Sequence, residues 1–216
     1  MLGNQQVLRD QIDMGQSLSW ISVHGMPAAE LYAKLGVTET GKQGNFLQFR
    51  MHGEALPNNW HVVAVKRCDD LILSHGVLSQ LSSGCSIIAC SIEEHVNYAS
   101  SGFWRDGREI WNVAHQGDRD VTDLNVRGSP PEPFDDLRAR AFARQEAEGD
   151  RARVDYIASI PRDLADGIIA SAFDENDPGR GAIHTEPDPV VFRELCELPT
   201  GLLAGARKRW WKFWQR

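Results

Sequence analysis

The chain places a carboxylate and an imidazole at a spacing that suits proton transfer. Glu93, Glu94 and His95 follow the apolar run at residues 85–92, and side chains two positions apart on a strand share one face. Glu93 and His95 would then form the acid–base pair of a hydrolase or transferase. Because the sequence shows no nucleophile and no third group to orient the pair, the polar, solvent-facing side of a half-buried sheet is the stronger interpretation.

Other candidates for metal or nucleophilic chemistry are isolated. The remaining six histidines are not paired with one another at i, i+4 on a predicted helix or at i, i+2 on a predicted strand. The four cysteines lack a CxxC pair, and no P-loop, GxSxG or GxGxxG motif with the required context is present. We therefore predict no metal site, no cofactor and no catalytic residues, and we expect the thiols to be reduced.

Residues 207–216, here called the basic aromatic tail, are unlike the rest of the chain. The whole protein has 23 basic and 30 acidic residues and a net charge of −7. Without the five cations of the tail, 18 basic residues stand against 30 acidic ones, so the body carries −12. The candidate binding residues are the cationic and aromatic side chains of the tail: Arg207, Lys208, Arg209, Trp210, Trp211, Lys212, Phe213, Trp214 and Arg216.

As a helix from Leu202, the tail is amphipathic. Its aromatic side chains fall on one half with Leu203, and its cations fall on the other half, except for Arg207. Such a helix binds an anionic lipid surface, packs on the acidic body of its own chain, or fills a groove of a protein partner. These three alternatives stay open. Nucleic acid is not an expected partner, because an acidic body repels phosphate.

The elements that hold these residues are predicted from local patterns. Apolar runs at 18–23, 60–65 and 85–92 indicate strands, and the alternation at 45–51 indicates another. Helices are predicted at 28–35, closed by Gly36, and at about 134–148.

A β-hairpin is predicted at Asp106-Gly107, because a type I′ turn requires positive φ at both central residues. In that register Arg105 faces Arg108, Trp104 faces Glu109, and Phe103 faces Ile110.

Three passages, ending at Pro27, Pro130 and Pro161, run from a strand into a helix. They predict an α+β fold with antiparallel sheets and helices packed on one side. The shared pattern V-x-G-x-P at the first two leaves open two similar halves, 17–115 and 116–173, within the core 17–173. A polar segment (1–16) precedes this core, and an acidic Gly/Pro linker (174–189) and a C-terminal segment (190–216) follow it.

A family resemblance rests on four groups of residues. These are Leu78-x-x-Leu81-Ser82, Glu93-Glu94-His95-Val96, Trp104-Arg105-Asp106-Gly107 with Trp111, and Asp155-Tyr156-Ile157 running into Ile160-Pro161. Over residues 17–173 the chain resembles an uncharacterised group of bacterial α+β proteins. Some families of this kind are immunity or accessory proteins of toxin systems, so the resemblance implies binding rather than catalysis, and it assigns no functional residue.

Composition is ordinary for a globular protein, with 42% hydrophobic and 25% charged residues. From the polar start and the absence of a long apolar run in this sequence, we expect neither a secretory signal nor a membrane span. We expect a non-enzymatic cytoplasmic binding protein that recognises a protein partner through its acidic body, its tail or both. An immunity or antitoxin-like protein is one concrete example of this function. The alternative is a protein held at the inner face of the membrane by the tail. A hydrolase or transferase that uses Glu93 and His95 is the third hypothesis.

Overall fold

The computed structural model describes residues 17–44, 48–56, 59–149, 154–171 and 192–214, without the side chains of 170, 171 and 208–214. The predicted segments 1–16 and 174–189 lie outside the described residues. The described strands are β1 (Ser17–His24), β2 (Val37–Gly44), β3 (Met51–Ala55), β4 (Trp60–Val65), β5 (Ser86–Glu93), β6 (Tyr98–Arg105), β7 (Arg108–Gln116), β8 (Leu124–Gly128) and β9 (Phe192–Glu197).

The described helices are α1 (Ala28–Leu35), α2 (His75–Leu81), α3 (Pro133–Glu148), α4 (Ser159–Ser171) and α5 (Gly201–Trp214), with 3₁₀ turns at Leu71–Leu73 and Glu94–Val96. The predicted helices at 28–35 and 134–148 are confirmed. Within this part of the chain, no helix combines the length and the apolar character that crossing a membrane requires.

The nine strands of the described residues form one antiparallel sheet, in the order β2-β9-β3-β4-β1-β5-β6-β7-β8. The α+β class with an antiparallel sheet is therefore confirmed. Strand β9 follows the other strands in the chain, yet it lies between β2 and β3 near one edge. At the other edge β8, from the segment 116–173, pairs with β7, so both expected halves contribute to the same sheet.

Two hydrophobic clusters cover opposite faces of the sheet, because neighbouring residues of a strand point to opposite sides. On β1, Ile21 and Val23 belong to the first cluster, and Leu18 and Trp20 belong to the second. Buried residues of α1, α2 and α5 complete the first cluster, and those of α3 and α4 complete the second. Helices thus lie on both sides of the sheet, whereas the sequence pattern predicted them on one side.

The β6–β7 hairpin turns at Asp106 and Gly107, with φ of 49° and 77°. Two predicted pairs, Arg105 with Arg108 and Trp104 with Glu109, are confirmed. The third pair is wrong, because the register shifts and Phe103 pairs with Trp111 instead of Ile110. An extra residue in one strand creates such a bulge. It leaves Ile110 exposed and lets the rings of Phe103 and Trp111 stack, with centroids 6.4 Å apart.

The strand predicted to run into Pro161 is wrong, because residues 154–158 form bends and turns and a helix follows them. The Asp155 carboxylate accepts hydrogen bonds from the backbone N–H groups of Ile157 and Ala158, at 3.1 and 3.0 Å. Such side-chain acceptors stabilise a helix start, and α4 begins at Ser159 with Pro161 in its first turn. The predicted strand at 45–51 is also shifted, because β3 begins only at Met51, and residues 45–47 lie outside the described part.

Candidate functional site

The C-terminal helix α5 is seated on the first face of the sheet by its first two turns. Leu203 and Ala206 are buried in the first cluster, where α5 contacts α1, α2 and the 3₁₀ turn Leu71–Leu73. The basic aromatic tail begins one residue later, at Arg207. The body therefore holds the start of the helix and determines the direction in which the tail continues.

Two glycines allow the β9–α5 connection to pass close to the end of α1. Gly36 ends α1 with φ of 77°, and Gly201 begins α5 with φ of 85°. A Cβ atom on Gly201 would lie 2.5 Å from both the Cα and the N of Gly36, closer than real Cβ contacts. The Leu198 N–H donates a 2.7 Å hydrogen bond to the Gly36 carbonyl. Backbone contact between these two positions thus requires glycine.

Arg207 turns toward the body rather than away from it. Its Nη2 donates a 2.6 Å hydrogen bond to Oε1 of Glu197, at the end of β9. Nη2 of Arg50 lies 3.8 Å from the same oxygen. Helical periodicity places Arg207 on the aromatic half of the helix. Its ion pair with Glu197 gives a physical reason for a cation at that position.

A cleft of about 300 Å³ opens beside this ion pair. The pairing of β3 with β9 includes His52 with Glu194 and Gly53 with Arg193, and the cleft lies past the end of this ladder. Two buried apolar side chains, Met51 and Leu195, form part of its wall. The lining residues are Arg50, Met51, Glu194, Leu195, Cys196, Glu197 and Arg207.

The acidic residues of the cleft are already engaged by neighbouring groups. The Thr40 hydroxyl donates a 2.6 Å hydrogen bond to Glu194, and Nζ of Lys42 lies 3.3 Å from that carboxylate. These contacts, the Thr40 hydrogen bond above all, hold the pKa of Glu194 below its usual range. Glu197 is engaged by Arg207, as described above.

Of the predicted binding residues, the structure describes the contacts of Arg207. Residues 208–214 continue the backbone of α5, but their side chains lie outside the described part, as does Arg216 as a whole. Sequence reasoning missed Arg50 and Glu197. They meet because β9 inserts beside β3, and no local pattern around either residue indicates that pairing.

The Glu93 and His95 candidates lie where β5 ends. The Glu93 carboxylate accepts a hydrogen bond from the backbone N–H of His95, at 3.4 Å, and so caps the 3₁₀ turn Glu94–Val96. The His95 side chain is exposed. This geometry accounts for Glu93 as a cap and gives the acid–base hypothesis no support.

A buried histidine–carboxylate pair connects α4 to the sheet. His115 Nδ1 lies 2.5 Å from the Asp123 carbonyl oxygen, and His115 Nε2 lies 2.8 Å from Oδ2 of Asp155. A carbonyl oxygen only accepts, so Nδ1 carries a proton, and a second proton lies between Nε2 and the carboxylate. Because Asp155 also caps the start of α4, the pair is well explained as a structural connection.

Strand β3 carries two titratable residues on one face, His52 and Glu54, which were not among the predicted site residues. Burial, with a smaller effect of the Lys66 charge, lowers the pKa of His52 to about 4, and burial raises the pKa of Glu54 to about 7. Near pH 7, His52 is then largely neutral, and Glu54 is about half protonated. Among the described residues, no three His, Cys, Asp or Glu side chains gather as a metal site would require.

Comparison with protein-family models, with curated proteins and with solved structures finds nothing that matches this chain. The resemblance noted from the sequence therefore gains no support from them. Among the described residues, the seated helix α5 with its adjoining cleft is the strongest candidate site.

Proposed function

We propose that the protein is a non-enzymatic, cytoplasmic binding protein that recognises a protein partner through α5. An immunity or antitoxin-like role is one concrete form of this function. The observation that carries the proposal is the seating of α5: its first two turns are held on the body by Leu203 and Ala206, and the helix continues into the tail. A helix held in this way is presented to a partner at a lower entropic cost than a free peptide.

The direction of the apolar stripe favours a protein groove over a flat bilayer. At about 100° per residue, Trp210 and Phe213 fall on the same side of the helix as Leu203 and Ala206. That side faces the body at the start of α5. A groove placed against the flank of the body can cover such a stripe, whereas a bilayer that approaches the outer side would meet Lys208 and Lys212 instead.

The test is capture of a partner by chains of two lengths. The full chain is compared with a chain that ends at Arg207, which retains Leu203, Ala206 and the ion pair with Glu197. We expect the full chain to recover a stoichiometric partner from its native cells and the shorter chain to lose it. Trp210→Ala should weaken capture more than Lys208→Ala, because buried aromatic anchors dominate binding in grooves. Equal recovery by both chain lengths would refute the proposal.

The second candidate function is attachment to an anionic membrane, favoured by the five cations within the ten residues of the tail. Flotation with phosphatidylserine vesicles separates the two functions. A full chain that floats, together with a chain ending at Arg207 that does not, would favour membrane attachment. No flotation of either chain is the result expected for a protein partner.

A further inference from the structure

We infer that the cleft between β3 and β9 is a binding site for an acidic, amphipathic segment of the partner, with one carboxylate held by Arg50 and Arg207. The inference rests on the proposed function, because it adds a second contact beside α5. It also states the chemistry of the partner: glutamate or aspartate side chains next to apolar ones.

The hydrogen-bonding capacity of the two guanidinium groups is the first argument. Each arginine has five N–H donors and no acceptor. Arg207 is hydrogen-bonded to Glu197, but Arg50 lies 3.8 Å from that carboxylate, too far for a hydrogen bond. With its side chain 63% exposed at the cleft, Arg50 can donate to an incoming carboxylate. Two parallel N–H donors match a carboxylate in geometry and charge.

The balance of charge around the cleft is the second argument. Glu194 is engaged by Thr40 and Lys42, and Glu197 is engaged by Arg207. Both carboxylates of the cleft are thus satisfied by neighbouring donors. The tail that follows Arg207 carries four further cations in its sequence, at positions 208, 209, 212 and 216. An acidic segment is the complementary partner.

The apolar wall is the third argument. Met51 and Leu195 are 5% and 4% exposed, and they line the same cleft as the guanidinium groups. A volume of about 300 Å³ is at the small end of ligand pockets, enough for a few side chains. A segment with apolar side chains next to its carboxylate can contact Met51 and Leu195 in this wall, whereas a purely acidic segment cannot.

The test uses a fluorescent, end-blocked decapeptide of alternating Glu and Leu, with a matched Gln-Leu peptide, on the full-length protein. We expect saturable binding of the Glu-Leu peptide. Arg50→Gln should weaken it about tenfold, as the loss of one charge-assisted hydrogen-bonded pair implies. Arg67→Gln is the matched control, because Arg67 is similarly exposed and contacts Asp70 outside the cleft. The Gln-Leu peptide should bind about tenfold more weakly, with no further loss on Arg50→Gln.

Two results would overturn the inference: no saturable binding of the Glu-Leu peptide up to about 1 mM, or equal losses for Arg50→Gln and Arg67→Gln. The same variants used in partner capture separate this inference from the proposed function. If capture depends on the tail but not on Arg50, the cleft assignment alone fails. If capture depends on neither, both proposals fail.

Discussion

Substitution of Gly201 by alanine tests whether close backbone contact positions α5. The chain offers a matched control in Gly41, which has the same φ of 85° but no atom within 4 Å of the position a Cβ would take. Alanine costs about 1–2 kcal/mol at either position, because L-residues are strained in the left-handed region. A difference between the two variants therefore measures the contact and not the backbone conformation.

The contact should add a cost of its own at Gly201. A Cβ there would lie 2.5 Å from two backbone atoms of Gly36, so the junction must move by roughly 1 Å to restore ordinary van der Waals distance. Such a shift partly uncovers Leu203, whose complete burial stabilises the fold by about 1.5–3 kcal/mol. We expect Gly201→Ala to lower the free energy of unfolding by about 3 kcal/mol in total, against about 1 kcal/mol for Gly41→Ala.

Urea unfolding followed by circular dichroism gives both free energies, and amide hydrogen exchange gives the location of the effect. In Gly201→Ala, exchange should accelerate in the first two turns of α5, because local contacts there are lost. In Gly41→Ala the amides of α5 should exchange as in the unchanged protein. Losses of stability that agree within about 0.5 kcal/mol for the two variants would refute the reasoning.

Two further predictions concern buried ionisable groups. Asp155→Ala should cost about 2–4 kcal/mol in urea unfolding, because it leaves the buried Nε2 of His115 unpaired and removes the cap of α4. Asp155→Asn still accepts from the α4 amides and can donate to neutral His115, so it should cost about 1 kcal/mol; similar losses for the two variants would contradict this. Burial raises the pKa of Glu54 from 4.5 to about 7, so its stabilising effect, complete below the unfolded value, disappears as pH rises through 7. The unfolding free energy of Glu54→Gln relative to the unchanged protein should therefore increase from about pH 5 to about pH 8, and parallel pH curves would contradict this.

Features that depend on neighbouring residues could be predicted from the sequence. Pro27 and Gly36 delimit α1, and Asp106-Gly107 specifies the turn of the β6–β7 hairpin. In each case the signal is a backbone conformation that few residues adopt. The same signals say little about side-chain pairing, since one bulge residue, Ile110, was enough to replace the expected partner of Phe103.

Features that depend on distant residues could not be predicted. Strand β2 is an exposed edge strand with polar side chains, so it lacks the alternation that marks a half-buried strand. The burial of Phe192 and Leu195 on opposite faces of β9 makes sense only once β9 lies inside the sheet. The cleft follows from that insertion, because Arg50 lies just before β3 and Glu197 lies at the end of β9. For the tail, composition and helical periodicity could be read from the sequence. The contact of its first residue, Arg207, with Glu197 could be seen only in the structure.

The late position of β9 in the chain has a consequence for biosynthesis. Thr40 and Glu194, whose side chains meet across β2 and β9, are 154 positions apart. During translation, β2 and β3 therefore emerge from the ribosome long before the strand that joins them. Until then each presents an unpaired edge, the kind of surface through which nascent chains aggregate. Chaperone dependence should thus be concentrated in the interval between synthesis of β3 and synthesis of residue 197.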